Sequence, residues 1–284
     1  MQEPTSTPPE YGGADIPADS PHHYSPPPSR AVNRGVLGGL AAILIAAWSY
    51  GKYLLLFALK FKAFGTLITL AISFAAYAVF WGPWFAAGLV LMILVHELGH
   101  VFEIRRQGMQ ASAPLFIPFM GAAIFQRSHP SDALKQAQIG IAGPIAGTLG
   151  ATAAFVLYGA TQSPVLLLWA LVGFYINLFN LIPVGMLDGG WILAPASKWF
   201  QVAGFAALGV LAFAFHMYLS PILILIVVLG IPTLLDRWRN DQSPYYQSVP
   251  VGARWAMGGA WLALVAYLGI ATLQAHSLLD TFVR

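Results

Sequence analysis

The residues of this sequence best suited to chemistry are His96, Glu97 and His100, in the stretch His96-Glu97-Leu98-Gly99-His100. On a helix, side chains four positions apart share a face one turn apart, so the two imidazoles can offer nitrogens to one metal ion. Glu97 then sits beside the ion without binding it, where its carboxylate can accept a proton from water that the metal activates. A hydrolytic metal needs a third protein donor, and the best placed is Asp188, in Pro183-Val184-Gly185-Met186-Leu187-Asp188-Gly189-Gly190. Its rival is Glu103, on a face close to that of His100, but an ordinary ion pair with Arg105 or Arg106 accounts for it.

The elements that hold these residues belong to a membrane protein. Of the 284 residues, 58% are hydrophobic and only 9% charged, which excludes a soluble domain and indicates a polytopic one. The apolar run that carries the two histidines begins at Trp84 and closes at Arg105-Arg106. An ionised carboxylate at bilayer depth costs roughly 2.5–3.5 kcal/mol or more, so Glu97 and Asp188, the acids lying well within hydrophobic segments, mark a function. With no cysteine, any metal is held by histidine and carboxylate, a donor set that suits zinc or another borderline ion. The basic residues of such a chain report orientation and predict no nucleic-acid partner.

Residues 1–34 read as a disordered Pro-rich tail, in which His22-His23 is a solvated pair, and residues 35–284 as one membrane domain. Apolar segments follow near 36–59, 64–82, 84–104, 137–159, 164–183, 201–219, 221–235 and 255–275, which predicts about six to eight transmembrane helices. Lys52 interrupts the first segment, so it reads either as one tilted span or as a short re-entrant pair. If Arg105-Arg106 is cytoplasmic and the spans alternate, then Lys60, Lys62, Arg127, Lys135, Lys198, Arg237, Arg239 and Arg254 fall on that side and Arg284 opposite. His96 precedes Arg105 by nine residues, which puts it about 14 Å in from that face. Water must reach it, so a polar cavity is expected.

Between these spans, Ala113-Pro114-Leu115-Phe116-Ile117-Pro118-Phe119-Met120-Gly121-Ala122-Ala123-Ile124-Phe125 has two prolines that exclude a regular helix and too many apolar residues for a solvated loop. It reads as a membrane-dipping strand or hairpin. Gly143 and Gly147, at i and i+4, give the next span a small-residue face for close packing. Pro183 and the glycines around it break the following helix and leave Asp188 on an irregular turn. His129, His216 and His276 read as exposed or interfacial residues. The fold class is thus an all-α polytopic membrane protein with a small membrane-dipping β-hairpin.

His96-Glu97-Leu98-Gly99-His100, followed two spans later by Asn180-x-x-Pro183-x-x-x-Leu187-Asp188-Gly189-Gly190, resembles the site-2 protease family of intramembrane zinc metalloproteases. The resemblance runs over about residues 60–240 and includes Pro118-Phe119-x-Gly121 and Gly143-Pro144-x-x-Gly147. It implies that His96, His100 and Asp188 bind one zinc ion, that Glu97 is the base, and that Asn180 holds the substrate backbone near the metal. It implies a plasma membrane of bacterial type, an active site nearer the cytoplasmic face, and a single-span membrane protein as substrate. Trp191 departs from the pattern, since many members have a basic residue after the paired glycines. No loop could hold the PDZ or CBS domain that many members carry. Two other functions fit parts of the sequence: a polytopic transporter with a broken helix, and a catalytically silent relative that binds membrane partners.

Overall fold

The computed structural model describes residues 62–216 and 220–283, together with Ser49, Tyr50 and Tyr53. The Pro-rich tail and almost all of the interrupted segment at 36–59 lie outside the described residues. The chain divides into two units, Met1–Lys52 and Tyr53–Arg284, and the second holds every element described below.

That unit runs α1 (Lys62–Trp81), α2 (Pro83–Arg106), β1 (Leu115–Ile117), β2 (Gly121–Ala123), α3 (Ala133–Thr161), α4 (Pro164–Asn180), α5 (Asp188–Leu193), α6 (Trp199–Ala214), α7 (Pro221–Arg239), α8 (Pro244–Gln247) and α9 (Val251–Val283). Five of these helices hold a stretch long and apolar enough to cross a membrane: α1, α2, α3, α7 and α9. Their outer faces carry large apolar side chains in the open, such as Val79, Leu149 and Trp255, as lipid-facing surfaces do. The protein is a multi-pass, all-α membrane protein with one small two-stranded sheet.

Helix starts follow local chemistry. Proline, whose fixed φ suits the first turn and whose missing N–H is not needed there, opens α2, α4, α7 and α8. At the start of α3, the Asp132 side chain accepts from the Lys135 N–H at 2.9 Å. Helix α3 packs against both α2 and α4, and α9 closes over α4. The largest buried cluster lies at that junction, around Met92, Ile141, Leu167, Phe174 and Leu268.

The segment between α2 and α3 forms the expected hairpin, with Leu115 opposite Ala123, Phe116 opposite Ala122 and Ile117 opposite Gly121. Its outer β1 edge is closed by α1. Thr66 Oγ1 donates to the Pro114 carbonyl at 2.8 Å, and the Phe116 N–H donates to Thr69 Oγ1 at 3.2 Å. The Phe116 ring is buried among Tyr77, Ala86, Val90 and Ile93. At the turn Phe119 adopts φ 64°, a left-handed backbone unusual for a bulky residue. Its N–H donates to the Tyr77 hydroxyl at 3.0 Å, and its ring meets those of Tyr77 and Phe80 edge to face.

Antiparallel pairing alternates, so the fact that Phe116 donates outward makes Phe116–Ala122 a non-hydrogen-bonded pair. The backbone N–H and C=O of Ala122 therefore point away from β1, at the sheet's other edge.

Candidate metal centre

His96, His100 and Asp188 are brought together by two separate devices. Helix α2 presents the two histidines from one face, both buried. Asp188 comes from the break after α4, where Pro183 ends the helical ladder and α5 restarts the chain. Gly189 and Gly190 let α5 press back on that break: an added Cβ would fall 2.1 Å from the Leu181 carbonyl oxygen and 2.4 Å from that of Val184. Helix α9 braces the same turn, since Trp261 Nε1 donates to the Leu181 carbonyl at 2.8 Å. Trp191 donates its indole N–H to the Gly185 carbonyl at 2.9 Å. It bridges the turn that delivers Asp188.

The donor atoms converge. His96 Nε2 lies 3.0 Å from Asp188 Oδ2, His100 Nε2 lies 3.3 Å from Asp188 Oδ1, and the two Nε2 atoms are 3.1 Å apart. The far side of each ring is already committed. His100 Nδ1 lies 2.8 Å from the carbonyl of Ile139, which can only accept, so Nδ1 carries the proton. Pro144 lies one turn after that carbonyl in α3 and opens the local ladder, because it has no N–H to give to Gly140. His96 Nδ1 lies 2.9 Å from Asn177 Oδ1, and the other amide atom of Asn177, Nδ2, donates to the Gly173 carbonyl at 2.7 Å. Asn177 Oδ1 is thus an acceptor and His96 Nδ1 its donor.

Both Nε2 atoms therefore present lone pairs, and they meet a carboxylate. Three acceptors crowd one buried point, and Asp188 Oδ2 makes no hydrogen bond of proper alignment despite its nearness to His96. Such a point calls for a cation. A tetrahedral ion with bonds of about 2.0–2.1 Å spaces its donors about 3.3 Å apart, close to the separations found here. The residues present fit zinc. Each histidine also has the outer hydrogen bond that metal-ligating imidazoles use to fix ring and tautomer.

Gly143 and Gly147, expected as a packing face, make room for the centre itself. A Cβ on Gly143 would come 2.2 Å from His100 Nε2, and one on Gly147 would come 2.2 Å from Asn177 Oδ1.

Glu97 stands outside the donor set. With His96 it lines a cavity of about 490 Å³, walled by the hairpin residues Phe119–Ala122, by Tyr175, Phe179 and Asn180 of α4, and by Ile222, Leu225 and Ile226 of α7. Asn180 donates one amide hydrogen to the Ile176 carbonyl at 3.0 Å and lines that cavity outside the donor set. Glu103 pairs with Arg106 at 2.6 Å and takes no part in the donor cluster. His129, His216 and His276 are exposed. Asn177 was missed by sequence reasoning; a buried amide in the apolar run of α4 was the available signal.

Residues 84–164, which span α2, the hairpin and most of α3, match peptidase family M50. The chain is 28% identical over 132 residues to a zinc metalloprotease of Methanocaldococcus jannaschii, an overlap of 45% of this chain and 38% of that protein. The overlap therefore spans well under half of that relative. The M50 match takes in the part of α2 that carries His96, Glu97 and His100, and Asp188 joins them beyond it; over residues 84–164 this chain is similar to peptidase family M50.

Proposed function

We propose that this chain is an intramembrane zinc metalloprotease that hydrolyses peptide bonds in or near the transmembrane segment of single-span membrane proteins. The observation that carries this reading is the meeting of three buried acceptor atoms beside a cavity that Glu97 lines. His96, His100 and Asp188 would hold one zinc ion per chain, and the domain at work would be residues 35–284, in a plasma membrane of bacterial type with the centre nearer the cytoplasmic face. When bound, zinc supplies Lewis acidity, polarising the scissile carbonyl and bringing the pKa of water toward ~7.

The chain's own residues do the rest. Glu97 takes a proton from the attacking water and returns it to the leaving amine. Asn180 uses one of its two amide hydrogens on Ile176 and keeps the other for the substrate backbone or the developing oxyanion. A helical substrate shields its peptide bonds, so it unwinds before cleavage. The outward N–H and C=O of Ala122 on β2 are placed to pair with that extended stretch, which satisfies backbone groups that have no water to turn to.

The test is cleavage of a model single-span substrate by purified protein. Glu97→Gln abolishes cleavage and leaves zinc content unchanged. Cleavage that survives this substitution rejects Glu97 as base, and wild-type protein without zinc rejects the metal centre.

A further inference from the structure

The two histidines are oriented by different means. The Ile139 carbonyl that holds His100 belongs to the backbone, and no side-chain replacement removes it. His96 is held by a side chain, the carboxamide of Asn177, which is fully buried in α4. That amide is itself fixed: its Nδ2 donates to Gly173, and Gly147 on α3 leaves the space it fills. The acceptor facing His96 Nδ1 is therefore held in one orientation before any metal arrives.

We infer that Asn177 is a positioning residue for the metal centre, keeping the proton of His96 on Nδ1 so that Nε2 is free to bind. This rests on the reading of His96, His100 and Asp188 as metal ligands. Without the Asn177 acceptor nothing holds the hydrogen on Nδ1, and the tautomer with hydrogen on Nε2, the nitrogen 3.0 Å from the Asp188 carboxylate, gains ground. The hydrogen would then sit where the metal belongs, and zinc would have to displace it. Outer partners of metal-ligating histidines act in this way on affinity.

The experiment measures zinc affinity of the full chain in detergent by competition with a chromophoric chelator. Asn177→Leu, which keeps the bulk and removes the acceptor, weakens binding by about 10–100-fold, whereas Asn177→Asp, which keeps an oxygen facing Nδ1, stays within about threefold of wild type. The inference is overturned if Asn177→Leu binds like wild type, or if Asn177→Asp loses as much affinity as Asn177→Leu. If Asn177→Leu does not fold, Gly147→Ala decides: Asn177 is kept, but the new methyl drives its carboxamide from His96, and affinity falls by about tenfold or more. Unchanged affinity in Gly147→Ala overturns the inference. The ligand assignment on which it rests is tested separately by His100→Ala, which should lose the zinc that wild type binds. Wild-type protein that takes up no zinc, or His100→Ala that binds as tightly as wild type, defeats that assignment and the role of Asn177 with it.

Discussion

Replacing Gly143 by alanine adds one uncharged methyl group to α3 and should disable the metal centre. The new Cβ would lie 2.2 Å from His100 Nε2, 2.4 Å from Cε1 and 2.7 Å from Cδ2, so it meets the ring broadside. Ordinary contact begins near 3.4 Å, so ring and methyl must part by about 1 Å in a close-packed interior. The ring has little room to give, because its Nδ1 is tied to Ile139 and its helix is packed against α3. Metal–donor distances tolerate shifts of only about 0.2 Å, so a donor moved by about 1 Å no longer binds. Zinc affinity should fall by about 100-fold or more, or at least ~2.7 kcal/mol. The assay is chelator competition on detergent-purified protein, with Gly150→Ala as the control on the same helix. There the methyl would come 3.1 Å from Val95 Cγ1, 3.7 Å from Val95 Cβ and 3.9 Å from Met92 Sδ, none of them at the centre, and affinity should hold. If Gly143→Ala binds zinc within about threefold of wild type, the tight fit between α3 and His100 is wrong and so is the geometry built on it.

Two further outcomes follow from other parts of the molecule. The double variant Thr66→Val with Thr69→Val strips the partners from the Pro114 carbonyl and the Phe116 N–H, about 1–3 kcal/mol for each group left unsatisfied. Amide exchange at Phe116 should accelerate, and protection at the wild-type level would refute the pinning of β1 by α1. Asp241 lies past the end of α7 between Lys198 Nζ at 2.9 Å and Arg237 Nη1 at 2.6 Å, and those cations hold its carboxyl below the usual value. A carboxyl depressed in the folded state adds stability above its unfolded pKa of about 3.9, and that stability drains away as pH falls through the lower folded value. Thermal midpoints should therefore drop on acidification below about pH 4 more steeply in wild type than in Asp241→Asn, and parallel curves would count against the cluster.

Much of this centre was legible because its chemistry is encoded by spacing along one helix. His96 and His100 had to share a face whatever they met there, and Pro183 had to interrupt the helix before Asp188. The hairpin could be read from its two prolines and Gly121, since apolar residues that cannot form a helix have few other arrangements inside a membrane. What touches what across helices could not be read. Asn177 gains its role from a histidine 81 positions away, and nothing local distinguishes it from Asn180 one turn on. Gly143 and Gly147 announced a close approach, but their spacing is the same whether the neighbour is a leucine or an imidazole. Thr66 and Thr69 are unremarkable in an apolar helix, where such hydroxyls commonly bond to their own backbone, as Thr69 also does to Gly65 at 3.0 Å.

The sealing of β1 by two threonine hydroxyls also bears on how these molecules live side by side in a bilayer. A ribbon with both margins open could template another ribbon, and crowded copies would zip into fibrils along their backbones. Here one margin is already spent on α1, so two copies could pair only through β2, and the closed β1 margins stop the sheet from growing past that pair.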